Sequence, residues 1–149
     1  MLIFAPVCLE QLSILGKKYN WQRPTECPSC IIGRVWGHGY VATLFEGFVS
    51  SLWLKRWRCA GCKTVITVRP DKFFSRFQSP TEIIFSVLRL RIQSARWPPK
   101  LPRQRAGQWL RRFVVFIKIQ YGEANEGHDL VKRLRDLFER GVKFMASLK

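Results

Sequence analysis

Cys27-Pro-Ser-Cys30 and Cys59-Ala-Gly-Cys62 bracket the stretch that decides the fold. Two residues between paired cysteines let one tight turn present both sulfurs to the same ion, and Pro28 and Gly61 are turn formers within those pairs. Zinc takes four ligands in a tetrahedron, and structural sites are often filled by four thiolates. Cys27, Cys30, Cys59 and Cys62 are therefore read as the ligands of one structural Zn2+, a closed shell with no position for water or substrate. The intervening residues 31–58 number 28, more than the usual template of about 15–20. That length suits two or three short strands carrying the second pair back to the first. A thioredoxin-like redox pair needs a βαβ pattern beside it, and a disulfide needs a secreted chain; the sequence shows neither signal.

Strand signals lie on both sides of the pairs. Arg34–Trp36 and Tyr40–Phe45 read as a hairpin about Gly37-His-Gly39, Leu52–Arg58 as a third strand and Thr64–Val68 as a fourth. Residues 25–70 are thus expected to form a small antiparallel zinc-ribbon sheet that relies on its metal for folding energy. Before it, residues 1–24 read as a short helix over 7–16, ended by Gly16, and a linker. After Asp71 the pattern turns helical. Ser79-Pro-Thr-Glu82 is a helix-start signature, with Ser79 as the N-cap of a helix to about Ala95. Trp97-Pro-Pro-Lys-Leu-Pro102 is a stiff connector, and a second helix runs from Arg103 to about Ile119. Residues 71–121 form a basic helix-turn-helix-like region, with a turn longer than the usual motif. A last amphipathic helix in 122–149 aligns Leu130, Leu134, Leu137 or Phe138, Val142 and Met145. The class is α+β: a sheet, then helices.

Charge points to the partner. The 149 residues carry 26 Lys and Arg against 10 Asp and Glu, a formal charge of +16. Such an excess speaks of polyanions rather than of fold, and nucleic acid is the commonest polyanion in a cell. Residues 71–121 hold 11 basic and 2 acidic side chains, so the polyanion is expected there. No apolar run is long enough to span a bilayer, and the apolar opening lacks the basic start of a signal peptide. A reducing cytoplasm is the expected compartment, with no membrane partner.

No catalytic constellation assembles from the sequence. His38 between glycines reads as a turn residue and His128 as a helix-start residue. Cys8 reads as a small buried hydrophobe. The candidate binding residues are basic. Lys55, Arg56 and Arg58 alternate with Trp53 and Trp57 on one strand, a pattern that suits phosphate contacts and stacking. Arg103, Arg105, Gln108, Arg111 and Arg112 crowd the start of the second helix, where Arg and Gln suit base edges in a major groove. Arg105, Gln108 and Arg112 are expected on bases, and Arg103 and Arg111 on phosphate. Double-stranded DNA is the expected ligand. An RNA-binding or ribosome-associated zinc-ribbon protein is the alternative, since ribbon and charge serve RNA equally. A third reading is a homodimer paired through the C-terminal helix.

The order of parts resembles the N-terminal region of bacterial insertion-sequence transposases. The residues that carry it are Cys27-Pro-Ser-Cys30, Trp36-Gly-His-Gly-Tyr40, Arg56-Trp-Arg-Cys-Ala-Gly-Cys62 and Trp109-Leu-Arg-Arg-Phe113. The resemblance covers about 25–115. It implies a zinc ribbon and a helix-turn-helix that bind the ends of a mobile element, with the four cysteines on zinc and 103–112 against DNA beside a prokaryotic nucleoid. Such transposases continue into an RNase H-like domain with an acidic triad, and this chain ends at Lys149. The expectation is a stand-alone or truncated relative that binds without cutting.

Overall fold

The computed structural model describes residues 1–31, 33–122 and 127–140. The chain divides between Phe73 and Phe74 into two compact units. The first carries strands β1 (Leu2–Ala5), β2 (Val35–Thr43), β3 (Leu52–Cys59) and β4 (Val65–Pro70) and helix α1 (Leu9–Leu15). The second carries helices α2 (Thr81–Ser94), α3 (Arg103–Tyr121) and α4 (Gly127–Glu139). The architecture is α+β, with the helical region following the sheet.

The sheet order is β1-β4-β3-β2. Strands β2, β3 and β4 pair antiparallel, as alternation and β-branched content dictate. The expected antiparallel sheet is nonetheless mixed, because β1 joins β4 in parallel, with Leu2 opposite Thr67 and Ala5 opposite Pro70. The N-terminal ammonium donates to the Val65 carbonyl at 2.8 Å, and the Asp71 N–H donates to the Ala5 carbonyl at 2.9 Å. The opening residues are thus part of the sheet, and the predicted helix follows them at Leu9–Leu15.

The expected hairpin about Gly37-His-Gly39 is a single strand. β2 runs through it, and the register against β3 slips between Gly37 and Tyr40. One extra residue is accommodated there as a β-bulge, with Gly39 at φ +78°. The true hairpin joins β2 to β3 through residues 44–51.

Side chains alternate along β3, so Leu52 and Leu54 project to one face and Trp57 and Cys59 to the other. Each pair has its own core. Leu52 and Leu54 are buried with Leu9, Leu12, Phe45 and Phe73, whereas Trp57 and Cys59 are buried with Cys27, Val35, Ile66 and Val68. Arg69 sits buried over the Phe45 ring at 5.2 Å, and burial lowers its pKa below the ordinary guanidinium value.

In the second unit, Ile84, Val87 and Leu88 of α2 meet Ala106, Trp109, Phe113 and Ile117 of α3 and Leu134 and Leu137 of α4. Helix α2 begins after Pro80 without a side-chain cap and ends at Ala95 in the left-handed region. Ser79 is therefore not the cap that the sequence suggested. It is buried and accepts a hydrogen bond from Arg105 Nη2 at 2.7 Å. The apolar face of α4 is buried inside its own unit, and Phe138 stacks on Phe85 at 4.4 Å. That packing accounts for the amphipathic pattern that suggested a homodimer; Val142 and Met145 lie outside the described residues. No helix among the described residues is long and apolar enough to cross a membrane.

Candidate metal centre and basic surfaces

The two cysteine pairs reach one point from different elements. Cys27 and Cys30 stand in the turn before β2, Cys59 ends β3, and Cys62 lies in the tight connection to β4. Their sulfurs lie within 4.8 Å of one another, with Cys27 3.6 Å from Cys62 and Cys30 3.6 Å from Cys59. A tetrahedron with Zn–S bonds of about 2.3 Å has edges of about 3.8 Å. A disulfide would need a separation of about 2.05 Å. The four sulfurs define a single structural zinc site.

Backbone bonds hold the turns. The Ile31 N–H donates to the Cys27 carbonyl at 2.7 Å and the Ser29 N–H to Cys27 Sγ at 3.4 Å. The Ala60 N–H donates to the Arg34 carbonyl at 2.9 Å, tying the second turn to the first. The residue after each pair adopts the same left-handed conformation, Ile31 at φ +64° and Lys63 at φ +62°. Lys63 Nζ also donates to the Ala60 carbonyl at 2.6 Å.

Electrostatics differ among the ligands. Burial pushes the Cys59 thiol up to about 11, while hydrogen bonding with the Thr64 side chain and backbone brings Cys62 down to about 6. Zinc must therefore expel a proton from Cys59, whereas Cys62 enters as thiolate above about pH 6. Protons compete with zinc for these thiolates, so zinc retention against a chelator is expected to fall as pH drops.

Gly33 is a determinant that sequence reading missed. A Cβ there would lie 2.2 Å from Cys59 Sγ and 3.1 Å from Cys30 Sγ, so no side chain fits beside the sulfurs. Gly33→Ala is expected to lower zinc affinity roughly tenfold to a hundredfold, the range seen when a metal's surrounding shell is altered. Competition with a chromogenic chelator measures this. The cue in the sequence is a glycine three residues after Cys30, close enough to lie under the sulfurs.

Cys8 is exposed rather than buried. It precedes α1, and its thiol donates to Glu10 Oε2 at 3.3 Å. Backbone hydrogen bonding and that thiol hold the Glu10 carboxyl below its ordinary value.

The expected basic face of β3 is divided between the two sides of the sheet. Lys55 projects with Trp57, its ammonium 4.3 Å from the Tyr40 ring and 5.3 Å from the Trp57 ring. Arg56 and Arg58 project to the opposite face, where Trp36 stands across from Arg58. Trp57 is buried in the zinc-side core, so Trp36 is the more available ring at 55% exposure, with the Arg23 guanidinium 4.9 Å above it.

On α3, Ala106, Trp109, Phe113 and Ile117 turn inward. The stripe opposite them is Gln104, Gln108, Arg111 and Val115, all exposed. Arg105 and Arg112 stand on one flank of that stripe, with Arg105 5.4 Å from the Trp109 ring and Arg112 5.1 Å from the Phe77 ring. Arg103 is exposed at the first turn. Comparison of the chain with protein-family models, curated proteins and solved structures gave no match.

Proposed function

We propose that this is a DNA-binding protein in which a structural zinc orders the sheet and α3 engages the duplex. One observation carries the reading. Helix α3 spans 19 residues without a single Asp or Glu, and it exposes Arg103, Gln104, Gln108, Arg111, Arg112 and Lys118. A helix N-terminus ordinarily favours acidic residues, because it carries about half a positive charge. Here Arg103 and Arg105 occupy the first turn and no acidic residue does. Such a helix forgoes local stability, and a polyanion would restore the balance. The resemblance to transposase N-terminal regions supports the same role, and by that likeness the ligand would be the end of a mobile element.

A second reading, RNA or another unpaired strand, draws on a specific feature. Trp36 is exposed beside Arg23 and Arg58, and an exposed ring among guanidiniums suits stacking on a free base. Competition between duplex DNA, duplex RNA and single strands separates the two readings. For duplex DNA, neutralising about six phosphates predicts a log–log salt slope of roughly −5. Binding that is flat between low and moderate salt would overturn the polyanion reading altogether.

A further inference from the structure

We propose that a cleft beside the first turns of α3 is a binding site for one phosphate group of a nucleic-acid backbone, held by Arg76, Arg105 and Arg112. The inference rests on the nucleic-acid reading above and assigns a part of the ligand to a part of the protein. The cleft has a volume of about 250 Å³, and Arg76, Gln78, Ser79, Arg105, Gln108 and Arg112 supply its polar wall. Phe77 and Trp109 complete the lining. A water occupies about 30 Å³, so the space takes a phosphate and a few waters.

The walls are built rather than incidental. Arg105 is fixed from two sides, by its bond to the buried Ser79 hydroxyl at 2.7 Å and by the Trp109 ring. Arg112 lies over Phe77. Arg76 enters from a backbone at φ +65°, a conformation uncommon for any residue with a side chain. Strain of this kind concentrates where a side chain has to be aimed. Three guanidiniums meet in this small volume, and no Asp or Glu lines it. The positive end of α3 lies nearby and adds to the attraction for an anion. Guanidinium forks match phosphate oxygens in pairs, and Gln78 adds a neutral donor. The ligand chemistry is thus a phosphate, which a nucleic-acid backbone or a free phosphate ion can supply. The run of exposed cations along the same helix favours the backbone.

The test uses the full-length zinc-loaded protein. Inorganic phosphate is titrated at constant ionic strength while the arginine Nε–Hε signals are followed by NMR, with acetate as the control anion. Phosphate is expected to shift the Arg105 and Arg112 signals saturably and to compete with duplex DNA, and acetate is expected to do neither. Arg76→Ala and Arg112→Ala should each reduce the magnitude of the DNA salt slope by about 1 while leaving the preferred sequence unchanged. Arg76→Gly removes the same side chain and relieves the left-handed backbone. It should lose binding equally while its Tm stays level or rises, which separates the site from folding damage. An unchanged slope in these variants, or an equal response to acetate, overturns the proposal. Saturable phosphate shifts without competition against DNA would assign the cleft to a free phosphate and overturn the backbone source. A parent protein that binds no nucleic acid sinks the broader reading instead, and the phosphate titration reports on the cleft independently of it.

Discussion

Replacing Cys59 by serine is expected to abolish stoichiometric zinc and to unfold the zinc end of the first unit. A serine hydroxyl is a poor substitute for a thiolate, and the three remaining sulfurs leave the tetrahedron open. Cys59 is 1% exposed and ends the central strand β3, so the lesion falls inside the core that holds Val35, Trp57, Ile66 and Val68. Structural zinc in small modules contributes an apparent free energy of about 10–16 kcal/mol. A whole domain has a net stability of about 5–15 kcal/mol. Loss of the metal is therefore comparable with everything that keeps this unit folded. Native mass spectrometry should find one zinc in the parent and none in the variant. Hydrogen exchange should show protection lost from β2, β3 and β4, and a strong chelator should reproduce both results. The core of α2, α3 and α4 contains no cysteine, so its protection should survive. Cys8→Ser should alter neither readout, since Cys8 lies outside the cluster. Stoichiometric zinc in the Cys59 variant would refute the ligand set.

The zinc ligands were legible because their chemistry is local. Two cysteines in one turn declare themselves at a spacing of three, and Pro28 and Gly61 mark the turns. What was not legible is mostly non-local. Strand β1 is four residues long, and its parallel pairing with β4 depends on residues more than sixty positions away. Gly37-His-Gly39 carries the composition of a turn, and only the register against β3 reveals a bulge. The division of β3 into two faces was available from its period of two. Reading Lys55 with Arg56 and Arg58 as one patch overlooked that neighbours in a strand point apart. Gly33 escaped because a glycine's role under a pair of sulfurs is a matter of packing distance. The periodicity of α4 showed that one of its faces is covered, and only the fold shows that α2 and α3 cover it.

The same distinction between a pattern and its partner governs what α3 should do to DNA. The sequence assigned Arg105, Gln108 and Arg112 to bases, and the outward stripe is instead Gln104, Gln108, Arg111 and Val115. A helix entering a major groove presents the ridge opposite its packed side, so Gln108 and Arg111 are best placed to reach base edges, Gln to adenine and Arg to guanine. Each good bidentate contact is worth about 1–3 kcal/mol of discrimination. Gln108→Ala with Arg111→Ala is therefore expected to cost about 2–6 kcal/mol on the preferred site, a loss of roughly thirtyfold to twenty-thousandfold. On unrelated sequences the double variant should lose only the phosphate attraction of one arginine. Arg56→Ala and Arg58→Ala, on the sheet, should instead weaken all sequences alike. Selection of preferred sites from a random duplex pool, for parent and variant side by side, reads this directly. An unchanged preferred motif in the double variant would show that α3 does not read sequence, leaving its arginines and glutamines as a solvated basic face that meets only phosphate.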